Sequence, residues 1–191
     1  MKLFLVRHGQ TTANQQQFYA GQTDVPLTEQ GRQEAEAIRP ILEKFTFDRV
    51  YSSDLIRALD TQRLALPGVH AIPTPLLREV DEGSLVGMTY SEVNARLDTS
   101  FRQTRDYTPY GGENADMVCA RLRQFLSILE ADPCDTAIAF AHNGIMNMML
   151  RVALGENLDY TGVPSKNCAL NVFEYIKGKW RLLAWNYMGK L

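Results

Sequence analysis

The chain has 191 residues, 45% of them hydrophobic and 22% charged, which is the balance of a soluble globular protein. That length lies slightly above the usual domain size, so one compact unit over 1–191 is expected rather than two small ones. Twenty basic against twenty-two acidic side chains leave a formal charge of -2, without the basic excess on which nucleic-acid binding draws.

Three histidines and three cysteines are too few for a His-rich metal cluster or a disulfide framework. Residues 1–6 form too short an apolar stretch before Arg7 and His8 to serve as a signal-peptide core. No run approaches the ~20 apolar residues of a membrane span. Cys119, Cys134 and Cys168 are scattered and make no CxxC pair, which suits reduced thiols in a reducing compartment. A cytoplasmic protein with neither a membrane nor a nucleic-acid partner is therefore expected. No repeat, low-complexity tract or linker composition interrupts the chain.

In chain order, residues 3–6 read as a buried strand stopped by Gly9. Thr28 is placed to cap a helix carrying Ala35, Ile38, Ile41, Leu42 and Phe45 at helical spacing, and residues 47–51 read as a second strand. Ser52 or Ser53 is expected to cap the next helix, which carries Leu55, Ala58 and Leu59. Residues 71–77 are an extended segment that Pro73 and Pro75 confine to an edge. Asn114 caps a long helix with Val118, Leu122, Phe125, Leu126 and Leu129 along one face. Residues 136–141 are the cleanest buried strand, and the helix after them, with Met146, Met148 and Met149 as core packing, stops at Gly155. Residues 168–176 and 180–185 flank Lys177-Gly178-Lys179 as a hairpin. This alternation predicts an α/β fold, a three-layer α/β/α sandwich with a mostly parallel central sheet and an antiparallel addition at the end.

In an open α/β sheet, ligands collect where strands end and helices begin, because helix N-termini expose backbone N–H groups there. His8 follows the first strand, inside Arg7-His8-Gly9-Gln10-Thr11-Thr12-Ala13-Asn14, and His142 ends the strand at 136–141, just before Asn143-Gly144. Central, parallel strands would bring these two imidazoles together. Arg7 adjoins His8, and Arg57 lies in the first turn of the helix after the second strand. A guanidinium fork matches phosphate oxygens, so two of them suit a phosphoryl group. A neutral histidine in that pocket can accept the group on a ring nitrogen.

These motifs resemble those of the histidine phosphatase superfamily, also called phosphoglycerate-mutase-like, over most of the chain. Arg7-His8-Gly9 with Thr11 and Asn14 is similar to the family's first motif, and residues 21–31, from Gly21-Gln22-Thr23 to Gly31, to its substrate loop. Residues 52–58 with Thr61 resemble its second arginine motif, and Leu77-Arg78-Glu79 with Gly83 the segment of the proton donor. Gly111-Gly112-Glu113 resembles the turn opening a later helix, and Ala141-His142-Asn143-Gly144 the second histidine motif, with asparagine where many members have glycine. Where many family phosphatases read Trp-Glu-Gly, this chain reads Leu85-Val86-Gly87.

The resemblance implies a phosphatase acting on phosphomonoesters of small metabolites. His8 would be the nucleophile, Arg7, Arg57 and His142 would hold the equatorial oxygens, and Glu79 would be the proton donor, with Asp81 and Glu82 within reach of the same role. Asn14, Gln22, Thr23 and Asn143 would bind substrate. No metal and no cofactor is called for. Residues 85–112 would form a helical cap in which Tyr90, Phe101, Arg102, Arg105, Tyr107 and Tyr110 are available to the leaving group. An α-ribazole-5'-phosphate phosphatase, a broad-specificity phosphatase and a sugar-bisphosphate phosphatase all fit this outline. The alternatives are a cofactor-dependent phosphoglycerate mutase using the same pocket and a non-catalytic phospho-ligand-binding protein. A cysteine phosphatase is excluded, because Phe125, Phe140 and Glu174 stand six residues after the three cysteines where arginine is required.

Overall fold

Strand β1 (Lys2–Arg7) is apolar on both sides: Leu3 and Leu5 enter one hydrophobic cluster, Phe4 and Val6 another. Successive strand residues point to opposite faces, so such a segment belongs inside a sheet covered on both. The computed structural model, which describes residues 1–155 and 163–189, places it there. The other strands are β2 (Arg49–Ser53), β3 (Ile72–Thr74), β4 (Thr136–Ala141), β5 (Leu170–Ile176) and β6 (Lys179–Tyr187). They form one six-stranded sheet in the order β3-β2-β4-β1-β5-β6. β1 to β4 are mutually parallel, β5 runs antiparallel to β1, and β6 antiparallel to β5.

The helices are α1 (Thr12–Gln16), α2 (Glu29–Ala37), α3 (Arg39–Leu42), α4 (Ile56–Ala65), α5 (Tyr90–Arg96), α6 (Phe101–Thr104), α7 (Ala115–Ala131) and α8 (Asn143–Leu154). On one face, Leu122, Phe125 and Leu126 of α7 and Ile145, Met146 and Met149 of α8 cover Leu3, Leu5 and the alanines of β4. On the other, Ala35 of α2 and Ala58 and Ala65 of α4 pack with Phe4, Val6, Ile138 and Phe140. Burying each large apolar side chain contributes about 1.5–3 kcal/mol, so the two clusters fix the layers. The three methionines on α8 are core residues.

Three local expectations change. The helix expected through Phe45 divides at Ile38 into α2 and α3, because Pro40 has no N–H to continue the ladder and suits a helix start. The segment at 71–77 holds only three strand residues before a turn at Pro75–Leu77. Neither serine caps α4 as a helix-cap residue; Leu55 occupies that position without a side-chain bond. Ser53 instead finishes β2, and its hydroxyl is committed elsewhere. The final hairpin turns through Lys177 and Gly178, both at positive φ, the mirror-image geometry that matches strand twist.

Residues 85–112 hold α5, α6 and short turns. Thr89 and Glu92 close a capping box at the start of α5, and Tyr90 N–H donates to the Gln17 carbonyl (2.8 Å). That bond ties the segment to the loop after α1.

Candidate active site

The register of β1 against β4 decides the centre of the site. Arg7 pairs with Ala141 at the last rung, so the next residues, His8 and His142, leave the sheet side by side. The His8 N–H donates to the Ala141 carbonyl (3.0 Å), and the ring centroids lie 5.1 Å apart. His8 is 4% exposed and His142 fully buried. Burial, reinforced by the Arg57 and Arg7 guanidinium groups, holds the His8 imidazole well below the ordinary histidine range. Burial followed by Arg57 does the same to His142. Both rings are therefore neutral at pH 7, each with one donor and one acceptor nitrogen.

The partners assign the tautomers. His8 Nδ1 sits 2.7 Å from the Gly9 carbonyl oxygen, which only accepts, so Nδ1 carries the proton and Nε2 keeps its lone pair. His8 lines a cavity of about 140 Å³. For His142 the assignment is reversed. Arg57 Nε donates to its Nδ1 (3.2 Å), so Nε2 bears the proton and donates to Ser53 Oγ at 2.8 Å.

Both predicted arginines border this cavity and are anchored by carbonyl oxygens. Arg57, 2% exposed, donates to the carbonyls of Thr23 and Gly21, each at 2.8 Å. Arg7 donates to the Ser165 carbonyl, and its Nε is buried without a partner among the described residues. Burial lowers the proton affinity of both guanidinium groups, and Glu79 is the first group to oppose it. Two guanidinium groups, Arg57 buried and Arg7 half-buried, beside a single small cavity favour an anion. Asn14 borders it too; its Oδ1 accepts from Thr11 N–H (3.1 Å), which leaves the amide nitrogen toward a ligand. Asn143 and Gly144 bring the N-terminus of α8 to the same wall.

Glu79 is held by the backbone. Its carboxylate accepts from Val80 N–H (2.9 Å) and Gly144 N–H (3.0 Å), and a Cβ on Gly144 would collide with its Oε1. Arg121 clamps the same segment, donating to the carbonyls of Leu76, Arg78 and Glu79 while paired with Glu113 at 2.9 Å. Glu82 also lines the cavity and accepts from Gly21 N–H (2.8 Å). Burial, with the neighbouring Glu79 adding to it, pushes the Glu82 carboxyl up to about 8, so it carries a proton at neutral pH. Asp81 turns away; its Oδ1 accepts from Gly83 N–H (2.9 Å).

Of the residues singled out from sequence, Arg7, His8, Asn14, Arg57, Glu79 and Asn143 border one cavity. His142, Gln22 and Thr23 do not. His142 stands behind Arg57 with both ring nitrogens used. Gln22 was expected at the substrate, but its amide donates to the Glu79 carbonyl (3.1 Å). Thr23 was expected there too, but its hydroxyl bonds the Ala20 carbonyl (2.6 Å) and its own carbonyl anchors Arg57. Gly144 carries no side chain to mark it in sequence, although it closes the second histidine motif. Asn167, whose amide donates to the His8 carbonyl (2.8 Å), and Ser165 carry no local signal and arrive from far along the chain.

A second chamber of about 380 Å³ adjoins the first, lined by Tyr19, Glu82, Tyr90, Arg102, Gln103, Arg105 and Tyr107. Glu82, Tyr90 and Arg105 border both. Phe101 and Tyr110 do not line it; Phe101 packs edge-on against Tyr107 and Tyr110, at 5.3 and 5.2 Å.

A sheet covered on both faces, with a lone-pair imidazole and two guanidinium groups at the ends of its parallel strands, is an α/β scaffold for holding a tetrahedral anion against a nucleophile. The family model of the histidine phosphatase superfamily (branch 1) matches residues 3–188, and this chain belongs to that superfamily. Its relatives include the adenosylcobalamin/alpha-ribazole phosphatase of Salmonella typhimurium, 31% identical over 78% of each chain. A 2,3-bisphosphoglycerate-dependent phosphoglycerate mutase of Gloeobacter violaceus is 33% identical over 78% of this chain and 73% of its own. Among solved structures, a mycobacterial glucosyl-3-phosphoglycerate phosphatase complexed with VO3 superposes with a TM-score of 0.87. It is 28% identical and covers 97% of this chain and 98% of its own.

Proposed function

We propose that this protein hydrolyses phosphomonoesters of small metabolites through a phosphohistidine intermediate. The observation that carries this reading is the locked tautomer of His8, whose Nε2 lone pair borders the cavity shared with Arg7 and Arg57. Nε2 attacks phosphorus, the ester P–O bond breaks, and Glu79 gives its proton to the departing oxygen. Water then attacks phosphorus as Glu79 takes its proton, the P–N bond breaks, and His8 recovers its lone pair. Arg7, Arg57, the Asn14 amide and the α8 N-terminus at Asn143 neutralise and orient the phosphoryl oxygens. His142 orients Arg57 from behind, and the Gln22–Thr23 loop supplies its carbonyl anchor.

The scheme uses no metal or cofactor, and residues 1–191 act as one unit with 85–112 as the cap over the leaving group. Among the described residues no helix is long and apolar enough to cross a membrane. Three buried cysteine thiols support work in a reducing cytoplasm. Hydrolysis of p-nitrophenyl phosphate in excess chelator, and capture of phosphate on His8 after a rapid quench, test the reading. His8→Ala removes both signals; turnover that persists in that variant sinks it. The mutase relative motivates a second measurement: 3-phosphoglycerate with a trace of 2,3-bisphosphoglycerate yields inorganic phosphate from a phosphatase and rapid isomerisation from a mutase.

A further inference from the structure

We propose that Glu82 determines specificity by reading the alcohol part of the substrate, selecting hydroxyl-bearing leaving groups of the polyol or sugar class over flat or apolar ones. This rests on the phosphatase reading above. Glu82 stands at the neck between the phosphoryl cavity and the larger chamber, bordering both. Its Oε2 is held by Gly21 N–H at 2.8 Å, which fixes the carboxyl at that position. Glu79 is the carboxylate acting most strongly on both Arg7 and Arg57, whereas Glu82 acts more weakly on Arg57. Glu79 therefore serves the phosphoryl centre and Glu82 faces what is attached to it.

The chamber walls favour the same class. Tyr19 accepts from Arg102 Nε (2.6 Å), so its own hydroxyl proton remains to be donated. Arg102 also donates to Asn94 (2.7 Å), yet one of its terminal nitrogens and the Nε of Arg105 are buried without partners among the described residues. Tyr19 and Tyr90, packed edge-on at 4.9 Å, add aromatic surface. The chamber thus offers donors and ring faces, and Glu82 supplies the carboxyl. Protonated, that carboxyl both gives and takes a hydrogen bond, as a hydroxyl does. Ionised, it would place a second negative charge beside Glu79 and the incoming phosphate. The groups around it are Glu79, Arg7, His8, Arg57, Arg102, Arg105, Tyr19, Tyr90 and Tyr107. The Gly21 N–H, Arg57 and Arg105 favour its ionised form, burial and Glu79 oppose it, and the opposition wins.

The test is the ratio of kcat/KM for glycerol 3-phosphate or glucose 6-phosphate to kcat/KM for propyl phosphate, an alkyl ester without hydroxyls whose leaving group needs protonation just as much, in wild type, Glu82→Leu and Glu82→Gln. Losing the Gly21 bond affects phosphate binding through Arg57 for every monoester alike, so it cancels in the ratio. At pH 6.5 the ratio should fall about tenfold in Glu82→Leu, the value of one hydrogen bond to the leaving group. Glu82→Gln keeps a donor and an acceptor but cannot ionise. It should hold the ratio at pH 6.5, where Glu82→Leu does not. A Glu82→Leu ratio within twofold of wild type overturns the inference, as does a Glu82→Gln ratio that falls as far as that of Glu82→Leu. If wild type hydrolyses none of the three esters, the phosphatase reading falls first and takes this one with it.

Discussion

The two adjoining chambers are built on different principles. In the phosphoryl cavity nearly every group is fixed by main chain: His8 by Gly9, Arg57 by Gly21 and Thr23, Glu79 by Val80 and Gly144. The larger chamber is walled by long side chains from α6, the loop after it and the loop after α1, and its tightest bond joins two side chains, Arg102 and Tyr19. A charge-handling centre gains from preorganisation, because donors fixed in advance need not reorganise as charge moves. A leaving-group chamber built from side chains can change its ligand without disturbing that centre.

The comparison breaks hardest at Arg57. Lysine keeps the charge but has no planar fork to reach His142, Gly21 and Thr23 together, so Arg57→Lys should lower kcat/KM by about 10²–10³ for every monoester. Near-normal steady-state kinetics in that variant would mean the carbonyl anchors are incidental. The next effect comes from Gly144. In Gly144→Ala the new methyl displaces the Glu79 carboxylate, and kcat should fall about 10–100-fold for alkyl phosphates. p-Nitrophenyl phosphate, whose leaving group needs little protonation, should suffer less, and equal losses would remove Glu79 from the proton-transfer role.

A stability measurement sharpens the contrast at the neck. The Glu82 carboxyl is raised from 4.5 to about 8 by burial and Glu79. Its contribution is therefore fully present below pH 4.5 and is lost as pH climbs toward 8. Glu82→Gln should be more stable than wild type at pH 8, relative to their difference at pH 4.5, by about 1–3 kcal/mol in urea unfolding. A difference independent of pH would show that Glu82 titrates normally. The smallest signal is spectroscopic. Because burial and the arginines hold His8 neutral, ¹⁵N NMR of the free protein should show an unprotonated Nε2 down through pH 6; protonation near pH 6.5 would contradict the neutral ring, and a protonated Nε2 in the neutral form would contradict the tautomer.

Much of the site was legible because its groups sit at strand ends next to glycine, where a short run of sequence specifies both backbone and chemistry. Arg7-His8-Gly9 and Ala141-His142-Asn143-Gly144 are of this kind. Arg57 was legible by its place in the first turn after a strand. The division of labour was not. His142, Gln22 and Thr23 share motifs with cavity residues, yet their hydrogen bonds point into the protein, and local sequence carries no information on where a side chain's partner lies. Ser165 and Asn167 were invisible for the same reason: they meet Arg7 and His8 only through the return of the chain before β5.

Two of the three histidines belong to the site. Two neutral rings with opposite tautomers form the centre, and His70 is exposed. The sequence by itself determined the layered α/β fold, since period-two and helical apolar patterns are local, and it pointed to His8 and the two arginines on which the proposed chemistry rests. Only the tertiary structure decided the protonation states and the orientation of each group. Those depend on burial and on partners dozens of residues away, brought into contact when β4 inserts between β1 and β2.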